Sequence, residues 1–513
     1  MLHVLLFALA LVDSSDIASV DTVCPVHSSI ACQVDEAHAA AARGAYYWSQ
    51  QKGGPSRTGF SPFQVPTNLS QGPAWSWHEP HHDVIRATPL IDDKFNIYLS
   101  TIGGRIFKFN SDGQVLWYHD AHAKVPGVGA LYDGKFIIGN GNGEVLALDM
   151  DSGSVTWKVR VSPAVSVDCP SVFAFNETIL VSTLLPHPHE AALVITGETK
   201  VVALNPSNGS VKWMFAPEAP MYNFQAASPG DGTIVFQDQS GGLYRLQLEN
   251  GHLIWRSGFP ERGFRTTAAS VVDDGLIFVM SNYVSPQAVK EDGGVLHTYR
   301  LSDGQLVYRQ EFPGVLYLAN QAVAVGKLSA DAGPSLIAGI GQNPEWPVFF
   351  RYKLHRGWPV WAARFMHRLS LIFPKPFSPA FPAYMIALDA KTGNVQWRYD
   401  LDDWVHPATA GDNELAEIRY DDIASGKNPF NSGTCLPDSC SQPVIGGDGT
   451  AYFGWEHGIG VAIRDANGDG VIDKDTEVST YHFGEGFQGS PAMAPGMIAF
   501  ASCEGLYVFK SGS

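Results

Sequence analysis

The chain has 513 residues, with 52 Gly, 33 Pro and 12% aromatic side chains, and its formal charge is −17 from 51 acidic and 34 basic residues. An acidic balance of that size lacks the basic field that non-specific nucleic-acid binding requires, so nucleic acid is excluded as a partner. The composition, without long helical heptads, reads as all-β with many turns, too long for one sandwich and with no linker that would divide it.

Residues 1–20 carry an apolar core, Val4 to Val12, followed by small and polar residues. This reads as a signal peptide, too short to span a membrane, although its n-region holds no Lys or Arg. Sequons at Asn68, Asn176 and Asn208 accord with a secretory route, so the expected location is secreted or in the lumen of that pathway. The six Cys, at 24, 32, 169, 435, 440 and 503, are an even number for an oxidising compartment. Cys24–Cys32 and Cys435–Cys440 are the expected local bridges, while Cys169 and Cys503 either pair or stay free.

Residues 21–71 form an irregular N-terminal segment, and Gly72-Pro-Ala-Trp-Ser-Trp77 then looks like an outer strand with no inner strands before it. From there one unit recurs. An alternating apolar run leads to a polar turn closed by Gly, and an aromatic follows four residues later. The pairs are Gly113 with Trp117, Gly153 with Trp157, Gly209 with Trp213, Gly251 with Trp255, Gly304 with Tyr308, and Gly393 with Trp397. Each is a β-hairpin by period and punctuation, the Gly accepting positive φ. Repeats at 40–56 residues suit four-stranded propeller blades.

Inner strands and their outer partners are expected at 84–110 with Trp117, 125–148 with Trp157, 170–204 with Trp213 and 225–248 with Trp255. Residues 268–301 with Tyr308, 320–389 with Trp397, and 442–464 with Tyr481 continue the series. Residues 488–510 supply three strands with nothing after them, and the orphan strand at Trp77 completes them. The fold class is therefore all-β, an eight-bladed β-propeller over 72–513 closed by N- and C-terminal strands sharing one blade.

The repeat, with the Arg57-Thr-Gly-Phe-Ser, Pro66 and Trp75-Ser-Trp77 lead-in, resembles the PQQ-like repeat of the quinoprotein alcohol dehydrogenase-like superfamily. The resemblance covers nearly the whole mature chain and implies eight-bladed propellers with Trp docking motifs. The superfamily contains dehydrogenases using pyrroloquinoline quinone (PQQ) with calcium, and non-catalytic members such as the propeller lipoprotein of the bacterial outer-membrane barrel-assembly machinery. The enzymes usually carry adjacent cysteines over the quinone, an Asp base, and Glu/Asn calcium ligands. No two Cys are adjacent here, and the Asp base and calcium pair find no clear positions.

The sharpest local motif is Asp465 to Glu477 in blade 7. Asp465, Asn467 and Asp469 stand at positions 1, 3 and 5 of an EF-hand-like loop, with Gly470 at the turn and Ile472 at the apolar position. The Val471 carbonyl supplies a fourth oxygen, and Asp473, Asp475 or Glu477 the closing carboxylate, because Thr476 replaces the usual Glu. The functional reading is Ca²⁺ held as a structural staple; the bland one is an acidic, Gly-rich turn.

Propeller topology sorts the rest. The calcium-type loop and the three sequons fall on the face of the A–B and C–D turns. The long insertions, 343–382 in blade 6 and 402–441 after it, fall on the opposite face with Pro186–Glu190 and His78–Asp83. Elaborated loops on a rigid scaffold usually carry function, so a protein or small-molecule ligand is expected there. His81, His82, His187 and His189 form a metal or acid–base cluster with Asp83 and Glu190, or else are solvated loop residues. Arg86, Gln225, Arg265, Gln321, Gln442 and Gln488, just before the innermost strands, should ring the channel mouth and bind a small polar or anionic ligand, or water.

From Trp346 to Leu388 there is no Asp or Glu, while Arg351, Lys353, Arg356, Arg364, Arg368 and Lys375 are basic. Trp358, Trp361, Phe365, Leu369 and Ile372 fall on one face of a helix. Residues 351–375 therefore make a peripheral membrane contact, cap a partner, or form a lid on the rim. The expected function is a calcium-stabilised binding scaffold, with an oxidoreductase site in the central funnel as the alternative.

Overall fold

The computed structural model describes residues 46–162, 171–183, 198–258, 264–265, 269–284, 291–329, 332–342, 358–373, 380–406, 409–411, 420–421, 424–425, 435 and 439–512. They form eight antiparallel sheets, arranged as the eight blades of a propeller. Blade 1 is Leu90–Ile91, Ile97–Ser100, Arg105–Phe109 and Val115–Asp120, paired in that order. In the last blade Trp75–His78 pairs with Gly505–Lys510, Trp75 opposite Val508, so the chain's two ends close the ring and leave no open edge there.

Burial follows position within a blade. The inner strands are covered on both faces by neighbouring sheets and read as continuous apolar runs. Residues Val145 to Leu148, for example, are all buried. The outer strands touch solvent and alternate, Val155–Arg160 burying Trp157 between exposed neighbours.

The Trp–Gly spacing links neighbouring blades. The Trp117 ring packs under Gly153 of the next blade, Trp157 under Gly209, Trp213 under Gly251, and Trp255 under Gly304. Each indole also donates to a backbone carbonyl of that turn: Trp117 to Met150 at 3.0 Å, Trp157 to Pro206 at 2.9 Å, Trp213 to Leu248 at 2.8 Å. Tyr308 repeats both contacts through its hydroxyl on Ala390 at 2.9 Å. The four-residue spacing therefore combines two halves of different contacts, since the Gly receives one ring and its aromatic goes to the following blade.

Two blades depart from the pattern. Blade 4 has a three-stranded sheet, its inner edge reduced to a bridge between Ala227 and Val235. The innermost strand of blade 5 is in two pieces, Phe264–Arg265 and Ser270–Asp273, both pairing with Leu276–Val284.

The N-terminal segment is not a loose lead-in. Residues 48–64 run around the axis and bond to every blade in turn. Trp48 bridges Ile91, and the Ser49 carbonyl accepts from Leu131. Gln51 accepts from Ser171, and the Pro55, Ser56 and Thr58 carbonyls accept from Ser228, Val272 and Val325. Gly59, Phe63 and Gln64 then accept from Ile445, Gly447 and Gly496. Ile91, Ile445, Gly447 and Gly496 lie at or beyond the ends of their inner strands, which puts the segment on the A–B turn side, opposite the insertions.

The expected Cys435–Cys440 bridge is corrected: Cys435 pairs with Cys503, 68 residues away, with a Cα–Cα distance of 5.8 Å. Cys440 is buried in a bridge to Trp455 at the inner edge of blade 7, where its Cβ faces Gly339. Cys435 reaches across to Val84, Ile102 and Cys503. The two cysteines belong to different clusters, Cys435 to this one and Cys440 to the core of blades 6 and 7. Cys24, Cys32, Cys169 and the leader lie outside the described residues.

Candidate functional site

The polar residues predicted for the channel mouth stand where the innermost strands begin. Arg86, Gln225, Gln321 and Gln442 are buried and Gln488 is half-buried; the backbone of Arg265 pairs with Asn282. What sequence reasoning missed is the pair of cations that the N-terminal segment carries into the interior. Arg57 is fully buried, donates through Nη2 to Gln225 Oε1, and lies over the Phe173 ring at 5.0 Å. Its Nε and Nη1 have no partner among the described residues. Burial lowers its pKa to about 9.

Lys52 is equally buried, and its ammonium donates to the Val323 carbonyl at 2.8 Å and the Pro443 carbonyl at 2.6 Å. Burial, with the Arg57 charge added, pushes its pKa well down. The available signal was a glycine within this segment, Gly59. A Cβ on Gly59 would stand 2.7 Å from Lys52 Cε, so only Gly lets the lysine pass.

The rim between the last blade and blade 1 explains His78–Asp83. Glu79 is buried, accepts from the amides of His81 at 2.6 Å and Asp83 at 2.8 Å, and pairs with Arg105. Asp83 accepts from Thr101 and Gly103, and burial raises its pKa. His81 is exposed, and His82 faces Glu504 at 3.4 Å. These side chains organise their own loop; His187, His189 and Glu190 lie outside the described residues. Beside them Glu485 accepts from Ser502 and the Glu504 amide, with His78 at 3.9 Å, and burial raises its pKa.

The calcium-type loop stands where other blades have their docking turn, and a Cβ on Gly470 would meet the Gln396 carbonyl at 3.0 Å. Asp465 accepts from Gly468 and Gly470, Asn467 from Asp469, and Asp469 from Val471. Asp473 accepts from Asp475, and Glu477 takes the amides of Ala466 and Asp473 with separate oxygens. Gly470 has φ of 80°, and Ile472 packs on the core. The side-chain oxygens of Asp465, Asn467, Asp469, Asp473 and Glu477 are thus turned onto the loop's own amides. Among the described residues no three His, Cys, Asp or Glu side chains gather as a metal group.

On the insertion-bearing face the expected helix forms as Val360–Ile372, labelled α1. It docks on Tyr420 and Asp421, with Arg364 paired to Asp421 and its guanidinium 5.6 Å from the Tyr420 ring.

Residues 33–214, 103–287 and 181–315 match the family model described as outer membrane protein assembly factor BamB, together more than half of the chain. The chain belongs to this family. Its curated relatives include the BamB of Yersinia pestis, 25% identical over 236 residues, 43% of this chain and 54% of that protein. The chain thus spans about half the length of the curated relatives it matches. Among solved structures, BamB from Moraxella catarrhalis has a TM-score of 0.52 at 13% identity, covering 85% of this chain and 99% of the other. Quinohemoprotein alcohol dehydrogenase from Comamonas testosteroni has a TM-score of 0.57 at 12% identity, covering 95% and 83%. At such identities the family likeness establishes the fold, and function has to come from the site.

Proposed function

We propose that this chain is a non-catalytic binding scaffold of an extracytoplasmic compartment, engaging a protein or small ligand on its insertion-bearing face. The observation that carries the reading is residues 48–64, which bond to all eight blades and fill the channel from the A–B side with Lys52 and Arg57. A bore occupied from that side by the protein's own chain favours use of the surface over use of the bore.

The residues present do not suit pyrroloquinoline quinone. The adjacent cysteines that the enzyme resemblance implies are missing, and Cys435 is committed to Cys503. Calcium enters as a structural staple: the side chains of Asp465, Asn467 and Asp469 and the Val471 carbonyl are hard donors of the right type and spacing.

The test is purification from the native secretory compartment, with mass spectrometry of what co-purifies and an absorbance spectrum of the product. The scaffold reading expects stoichiometric partners, lost when residues 402–441 are replaced by a short linker, and a colourless protein. A near-ultraviolet quinone band together with dye-linked alcohol oxidation would overturn it.

A further inference from the structure

Helix α1 is inverted for a surface helix. Amphipathic helices on soluble proteins turn their apolar stripe to the core. Here the inward face is small and polar, with Ala363, His367 and Ser370 fully buried. Ser370 Oγ donates to the His367 carbonyl at 2.6 Å, and the His367 ring meets Tyr420 at 5.8 Å. The outward face holds Trp361, 73% exposed, with Phe365 at 59% and Ile372 at 68%. Phe373 and Trp358 extend the same exposed patch. Large side chains grouped in this way mark a surface that something else covers.

Charge indicates the occupant. The chain carries −17 overall, yet between Trp346 and Leu388 it has six basic residues and no acidic one. Arg368 is exposed in the same outward row as Phe365 and Ile372. Aromatic rings and guanidinium groups side by side suit a headgroup layer, where rings enter the acyl boundary and cations meet phosphates. The three sequons lie on the far face of the propeller, so glycans there would not obstruct such a surface. No helix among the described residues is long and apolar enough to cross a membrane.

We propose that α1 lies in the interface of an anionic membrane, with Trp361, Phe365 and Ile372 entering the headgroup layer and Arg368 on lipid phosphates. The propeller is then held peripherally by its insertion-bearing face. This inference stands beside the scaffold reading and does not depend on it.

The experiment is flotation of the full chain with vesicles of phosphatidylcholine alone, or with about one third phosphatidylserine. Wild type should float with the anionic vesicles, weakly with the neutral ones, and be released by high salt. Trp361→Ser/Phe365→Ser should lose about tenfold or more of the binding, and Arg368→Glu should also weaken it. Melting temperatures should not move, because these side chains face outward. Wild type left at the bottom of the gradient overturns the proposal, including the case in which the helix captures a protein instead. Equal flotation on both vesicle types, or undiminished flotation of the double variant, overturns it as well.

Discussion

Lys52 Nζ donates to the Pro443 carbonyl at 2.6 Å and so joins two residues 391 positions apart. The same ammonium holds Val323 of the preceding blade, which makes one side chain a clasp between blades 6 and 7.

Lys52→Met should therefore leave two buried carbonyls without a donor, at a cost of about 1–3 kcal/mol. In a chain of this length that lowers the melting temperature by about 1–3 °C. Lys158→Met, which removes an exposed partner of Glu144, should change it by far less. Equal melting of the two variants would remove the clasp from the list of stabilising contacts.

Gly153 and Gly134 both have φ of 71°, so Ala costs the same backbone strain at each. At Gly153 a Cβ would also stand 2.7 Å from the Trp117 ring, whereas nothing lies within 4 Å at Gly134. Gly134→Ala should cost about 1 kcal/mol, and Gly153→Ala at least about 1 kcal/mol more through displacement of the ring. Denaturant midpoints measure the difference. If the two variants match, the docking contact adds nothing to blade cohesion.

Burial raises the Glu485 pKa above its ordinary value of 4.5 in the folded protein. As pH rises past 4.5, the unfolded chain releases this proton first, and the folded chain keeps it until its own higher pKa is reached. Stability from this group is therefore complete below the unfolded value and falls as pH rises through the folded one. Glu485→Gln, which cannot ionise, should melt above wild type at neutral pH and lose that advantage in acid. A constant gap at all pH values would mean that the gain came from packing or hydrogen bonding.

For the calcium-type loop, binding to the native state alone adds about 2.7 kcal/mol at a hundredfold excess over Kd. Chelation should lower the melting temperature by a few degrees, and Asp469→Ala should abolish that sensitivity. A wild type indifferent to chelator would leave the loop as an acidic turn held by its own amides.

Blade number and order were legible because the repeat combines period, turn and aromatic at fixed spacing, and each part reflects a local contact. The α1 helix was legible for the same reason, although its sequence could not say which face met the protein. Seeing that needed Tyr420 and Asp421, contributed by another insertion. Lys52 and Arg57 were hidden because their partners are backbone carbonyls and one Gln, spread over blades 4, 6 and 7. Such acceptors leave no mark on the sequence. The Cys435–Cys503 pair was missed because proximity along the chain was taken for proximity in space.

The path of residues 48–64 has a consequence for how the protein is made. They emerge from the ribosome early, yet their bonds run to strands as late as Gly496, and the outer strand at Trp75 waits for Val508. Contacts of such sequence separation form slowly and leave edges exposed meanwhile. Until the last blade has been synthesised, the strand at Trp75 has no partner and the last bond of residues 48–64 cannot form. Completion is a single late event, so a truncated product cannot shed one blade and keep the rest sealed.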